Sequence, residues 1–302
     1  MTLQLLFDAL SLGGIYAVAA LGIALIFGVM KLVNFAHGQF IAFAVFALIV
    51  PSTDAVAVMG LGAAPAPILV PAILLVGAAL AVLAEIFVFR PLRNASPVAL
   101  MVASFALGVV IQNLLLVGYG GRPKALSLWP ELGSPVQIAG ASVPLLQVIV
   151  IGAVLAVLAA LALMLRHTRI GLEMRAAAED FGMARLLGVR ANAVISGAFA
   201  LSGALAAAVA LVLVAQTGVA DVRMGGQIML VAFIATVVGG MGSLGGAVAA
   251  GFALGAASVA LQALLPAEAR PFRDAFLYAL VILVLLLRPQ GLFAAASAKP
   301  RV

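Results

Sequence analysis

The chain has 302 residues, 66% of them hydrophobic and only 9% charged, with a formal net charge of +6. A soluble domain carries about 25% charged residues, so this chain cannot clothe itself in water and a soluble fold is excluded. It has no cysteine, which removes disulfides and thiol chemistry.

Charge-free runs fill residues 9–30, 55–84, 94–121, 132–165, 191–220 and 224–267. A bilayer takes about 20 apolar residues as a helix, and lipid leaves only helices or closed barrels for a spanning backbone. The runs are long and lack period-2 alternation, so the predicted fold is all-α, a polytopic transmembrane helix bundle forming one domain over 1–302. The opening stretch MTLQLLFDALSLGG has no basic leader and carries Asp8; it reads as a retained span, not a cleaved signal. In chain order the expected spans are 5–30, 38–52, 66–89, 97–117, 144–165, 193–214, 228–240, 244–264 and 273–287. The second and seventh are short enough to be re-entrant or broken, and the last is cut by Arg273 and Asp274, so about eight to nine crossings are expected.

Orientation follows the Lys and Arg of short loops. Lys31, the pair Arg90 and Arg93, the set Arg166, Arg169, Arg175, Arg185 and Arg190, and the set Arg288, Lys299 and Arg301 fall on one side of nine spans. Arg122, Lys124, Arg223, Arg270 and Arg273 fall on the other, partly balanced by Asp54, Glu131, Asp221 and Glu268. This bias predicts an outside N-terminus and a cytoplasmic C-terminus. The loop 118–143, with the single tryptophan Trp129, is then extracytoplasmic. No basic stripe stands clear of the spans, so no nucleic-acid partner is expected.

Enzyme signatures are missing. Phosphate-cradling loops need Gly-Lys-Ser/Thr, whereas Lys31, Lys124 and Lys299 precede Leu32, Ala125 and Pro300. His37 and His167 have no companion at metal-ligand spacing. Catalysis is not expected, nor a cofactor or metal.

The longest polar stretch is 166–192, RHTRIGLEMRAAAEDFGMARLLGVRAN. As one helix from Leu172 it sets Ala177, Phe181, Ala184 and Gly188 on a single stripe, with Arg175 and Glu179 as an i, i+4 pair on the other face. Gly188 suits a helix C-terminus. Such a small-residue stripe with one large anchor is shaped for close approach by another surface. A connector lying on lipid headgroups, its arginines attracted to anionic lipid, accounts for the same pattern.

The stretch resembles the cytoplasmic coupling loop of ATP-binding-cassette (ABC) importer permeases, with Ala177–Ala178 and Gly188 at the expected spacing. Around it, GGIYAVAALGIALIFGVMKLVNFAHGQF (13–40), TRIGLEMRAAAEDFGMARLLGV (168–189), FIATVVGGMGSLGGAVAAG (233–251) and RPQGLF (288–293) resemble, in order, the permeases of branched-chain amino acid importers of the LivH type. The resemblance implies a bacterial inner-membrane subunit working with a second related permease, two cytoplasmic ATPase subunits and a periplasmic substrate-binding protein. It also implies that 172–188 docks on an ATPase, through Arg175, Ala177, Ala178, Glu179, Asp180, Phe181, Ala184 and Gly188. Here Glu179 and Asp180 follow the alanines, where the family places a glutamate before them.

Two interruptions break the apolar sequence: NFAHGQF at 34–40 and GGMGSLGG at 239–246. Paired breaks of this kind line midplane pathways in transporters. Asn34, His37 and Gln39 are candidates for the path of a zwitterion, since polar groups in spans usually face an interior or a cavity; an ordinary turn is the other reading. Gln112, Asn113, Thr236 and Ser243 carry the same pair of readings. Glu85, one turn before Arg90, is expected to form a snorkelling ion pair, and Gly251 with Gly255 forms a GxxxG face for close packing within the chain. The leading expectation is therefore an amino-acid importer permease. The alternatives are a permease for urea or a short amide, an ion-coupled secondary transporter, and a membrane scaffold.

Overall fold

The computed structural model describes residues 2–54, 56–138 and 141–293; Lys299 and Arg301, used above for orientation, lie outside them. Among the described residues it has eleven α-helices. These are α1 (Thr2–Met30), α2 (His37–Phe46), α3 (Ala66–Ala84), α4 (Pro97–Tyr119), α5 (Leu145–His167), α6 (Arg169–Glu179), α7 (Phe181–Leu186), α8 (Ala191–Thr217), α9 (Met224–Gly239), α10 (Leu244–Leu264) and α11 (Arg273–Leu287). Among the described residues six helical stretches are long and apolar enough to cross a membrane: Leu3–Met30, Ala66–Phe89, Pro97–Tyr119, Leu145–His167, Ala191–Thr217 and Leu244–Leu264.

Local chemistry sets several ends. Ser96 opens α4 by accepting from the Ala99 N–H at 3.2 Å, with Pro97 at the first helical position, where its missing N–H costs nothing. The end of α3 widens into a π-turn, Glu85–Phe89, in which the Arg90 N–H reaches the Glu85 carbonyl at 2.7 Å. The expected span 38–52 is shorter than read: α2 stops at Phe46, and Ile49 forms a bridge with Met59 instead of another helical turn.

The helix-only expectation misses two small ladders. β1 (Lys124–Ala125) pairs antiparallel with β4 (Val219–Ala220), and β2 (Pro135–Ile138) with β3 (Ala141–Pro144). Both lie between helices, where the backbone has no helical partners and must find others.

The chain divides into two compact units. One holds the described parts of 1–24, 129–161 and 231–302. In it α1 meets α10 through small residues, as the GxxxG pattern predicts: a Cβ on Gly255 would come within 2.2 Å of the Gly13 Cα, and one on Gly251 within 2.5 Å of the Ala17 Cα. The other unit holds 25–128 and 162–230. Its axis is the packing of α3 on α8, where a Cβ on Gly203 would lie 2.2 Å from the Gly77 carbonyl oxygen. Phe40, Phe46, Phe89 and Phe199 fill this core, and the Phe89 and Phe199 rings sit 5.0 Å apart.

Candidate functional site

Between α1 and α2 the chain leaves the helix for residues 31–36. Lys31 closes α1 in a left-handed conformation, φ 55°. The Asn34 Oδ1 then accepts from the Ala36 N–H at 3.0 Å, making a local turn, and the Ser104 hydroxyl of α4 accepts from the Phe35 N–H at 3.1 Å. His37 opens α2 and shares a 3.1 Å hydrogen bond between its Nδ1 and the Ser202 hydroxyl of α8. Asn34 and His37 are fully buried. Yet Asn34 Nδ2, His37 Nε2 and Gln39 Oε1 are buried atoms with no hydrogen-bond partner in the chain.

The other polar candidates differ in kind. On α4, Gln112 is half-buried and Asn113 exposed, its amide donating to the Val109 carbonyl at 2.8 Å. The same helix approaches the break one turn earlier, where a Cβ on Gly108 would lie 3.6 Å from the Gln39 Cγ. Thr236 and Ser243 lie in the other unit. The Thr236 hydroxyl donates to the Ala232 and Ala20 carbonyls at 2.9 and 3.2 Å, and Ser243 caps α10 by accepting from the Gly246 N–H at 3.1 Å.

The segment 166–192 corrects the single helix expected from Leu172. Asp180 adopts an extended conformation (φ −147°, ψ 102°) and splits the stretch into α6 and α7. Its side chain accepts from the Met183 N–H at 2.9 Å, so it is the N-cap of a second helix, a role aspartate fills better than a helix interior. The small-residue stripe also points inward: Ala177 and Ala184 are buried, and Phe181 is half-buried. This segment exposes several bulky apolar side chains, Leu186 and Leu187 at 83% and 79% of full exposure and Leu172 and Met183 at 60% and 54%. Arg175, Glu179 and Asp180 are exposed and Ala178 half-buried. Gly188 ends α7 as predicted, at φ 89°, with the Val189 N–H returning to the Ala184 carbonyl.

A family described as "Branched-chain amino acid transport system / permease component" matches residues 5–285. The chain belongs to that family. It is 31% identical to the high-affinity branched-chain amino acid transport system permease protein LivH of Salmonella typhimurium, over 96% of this chain and 94% of the relative. BraD of Pseudomonas aeruginosa is 31% identical over 96% and 95%, and LivH of Escherichia coli K12 is 30% identical over 96% and 94%. No solved structure gives a significant match. The protein is thus the permease component of a branched-chain amino acid ABC transport system, a multi-pass membrane protein that works with partner subunits and is not itself an enzyme.

Two features of this permease were not read from the sequence. The Glu85–Arg90 pair forms, but it does not snorkel: the Glu85 side chain is wholly buried. Arg90 donates to both its carboxylate oxygens, at 2.8 and 3.2 Å, the Ser196 hydroxyl donates at 2.9 Å, and Arg93 binds both Glu85 and Asn192. The knot ties the end of α3 to the first turns of α8, immediately after α7. A buried carboxylate of this kind is held by pairing and hydrogen bonds together; Ser196, 111 residues from Glu85, gives no local signal for it. Lys124, expected to be an ordinary loop charge, is buried, with its ammonium on the carbonyls of Ser52 (2.7 Å) and Asp54.

Proposed function

We propose that the break at 31–39 lines the route of the amino acid through the membrane, and that α6–α7 receives the stroke of an ATPase. The observation that carries this reading is the trio of unpartnered buried atoms, Asn34 Nδ2, His37 Nε2 and Gln39 Oε1. Leaving such groups unsatisfied costs about 1–3 kcal/mol each, and a native fold that keeps them calls for a reason. Their valences suit a zwitterion. The Asn34 amide donates to a carboxylate, as does His37 Nε2 whenever Ser202 donates to Nδ1; the Gln39 oxygen accepts from an ammonium. Gln112 and Asn113 extend the polar strip along α4, whereas Thr236 and Ser243, in the other unit, have their hydroxyls taken up by carbonyls and by a helix cap.

In this reading 1–302 is one permease domain in a bacterial inner membrane, N-terminus outside and C-terminus in the cytoplasm. The six long helices and α11 cross it, and α2 and α9 are the broken pair that bring the crossings to nine, the odd number that this orientation needs. The company is a second related permease, two cytoplasmic ATPase subunits and a periplasmic substrate-binding protein, with lipid around the bundle. The exposed side chains of Leu186 and Leu187 dock on an ATPase, flanked by Arg175, Glu179 and Asp180, while Ala177, Ala178 and Ala184 let α6 and α7 lie close to their own bundle and Gly188 ends α7. Closure of the ATPase pair then rocks the permeases between outward and inward openings. An ion-coupled mechanism fits less well: Glu85, the one fully buried acid among the described residues, is locked by two arginines.

The test is the double substitution Leu186→Asp, Leu187→Asp. It is expected to release the ATPase subunits from the purified complex while the chain still inserts into the membrane, because two carboxylates cannot be buried unpaired at an apolar contact. Undiminished co-purification overturns the docking assignment.

A further inference from the structure

We infer that Lys31 is a positioning residue that couples α6 to the polar break, its ammonium capping the C-terminal end of α6. The inference rests on the coupling reading above. Its first support is the backbone. The Lys31 N–H donates to the Phe27 carbonyl at 2.8 Å with φ at 55°, the left-handed closing position of a helix. Glycine takes that position freely, whereas a side chain there is strained. Strain of this sort persists only where the surroundings hold it, and it gathers at switch regions.

The second support is the side chain. Lys31 Nζ donates to the Ala178 carbonyl at 3.1 Å, across 147 residues of sequence. Ala178 is in the last turn of α6, where carbonyls lack helical partners and the helix dipole is negative. No basic residue of its own stands in that turn, so the charge is supplied from the end of α1.

The third support is distance along the chain. Lys31 is three residues before Asn34, and Leu32 and Val33 between them are buried. Asn34 in turn holds the Ala36 N–H, next to His37. A displacement of α6 therefore passes to Asn34 and His37 through one charged hydrogen bond and a short packed segment. Two discrete settings of this link would give the substrate groups two settings as well, which is the physical form that coupling between sites takes.

The test uses the whole transporter in liposomes, with radiolabelled leucine as probe and ATP hydrolysis measured alongside uptake. Lys31→Gly removes the ammonium while relieving the backbone, so any loss cannot be blamed on strain; Lys31→Arg keeps a donor at the same reach. Leucine carried per ATP is expected to fall about tenfold in Lys31→Gly, with the ATPase subunits still co-purifying and thermal stability kept or raised, and to recover in Lys31→Arg. Unchanged leucine per ATP in Lys31→Gly overturns the inference. So does loss of the ATPase subunits from that variant, which would make the lysine a mere prop for α6. A wild-type complex that carries no ATPase subunits at all overturns the coupling reading itself, and this inference with it.

Discussion

The two interruptions of the apolar sequence look alike as text and differ as chemistry. At 240–243 the turn is made by glycines, Gly240 at φ 99° and Gly242 at φ 94°, and Ser243 caps the helix that follows. The RPQGLF stretch then closes over it: the Leu292 and Phe293 N–H groups donate to the Val238 and Gly239 carbonyls, and Gly291 lies against Gly240. Free valence is used up there. At 31–39 the left-handed residue is a lysine whose side chain reaches α6, and three buried polar atoms stay unpartnered. One break is a finished corner. The other is a corner with bonds left to give, which is what supports the proposal that the solute passes there.

The largest effect expected from this contrast is at the closed break. In Gly246→Val the new Cβ would stand 2.1 Å from the Gly239 carbonyl oxygen, and backbone on both sides leaves nothing to yield. A loss of about 3 kcal/mol or more is expected, seen as failure to recover folded chain from detergent; a variant with normal yield and melting temperature would break the comparison. Next comes the open break. Asn34→Ser retains an acceptor for the Ala36 N–H but loses the amide donor, and His37→Asn retains the contact with Ser202 but loses Nε2. Each is expected to lower amino-acid uptake about tenfold, read as flux per assembled complex, with melting temperature little changed. Equal losses of flux and stability would reduce this break to another corner. The smallest effect is Ser243→Ala, about 1 kcal/mol for a lost N-cap, measured by thermal unfolding, with flux per folded molecule unaltered.

Much of the fold was legible because apolar length is a property of a segment by itself. The expected spans at 66–89, 97–117 and 244–264 coincide with α3 plus its π-turn, α4 and α10 to within two residues. Gly188 was legible for a similar reason, since a glycine after a helical run announces its own conformation. What escaped depends on partners far away in sequence. Nothing beside Ala177 and Ala184 says which neighbour they will face, and Lys124 reads as solvated until the carbonyls of 52–54 come to it. The Asp180 break could have been found, because aspartate three residues before Met183 is a capping position as much as a helical one. Continuity of helix formers outweighed it. At the candidate site the residue types Asn34, His37 and Gln39 were readable, whereas the contrast between their spare valence and the satisfied Thr236 and Ser243 was not, since it is a statement about every neighbour at once.

The knot at the end of α3 carries a consequence for how the chain is made. Glu85 and Arg90 emerge from the ribosome five residues apart and meet within one turn of the same helix. The carboxylate is therefore neutralised by its own strand of nascent chain before Ser196 and Asn192 have been synthesised. The third helix can enter lipid early, and the eighth, on arrival, finds a charged socket already set to fix its register.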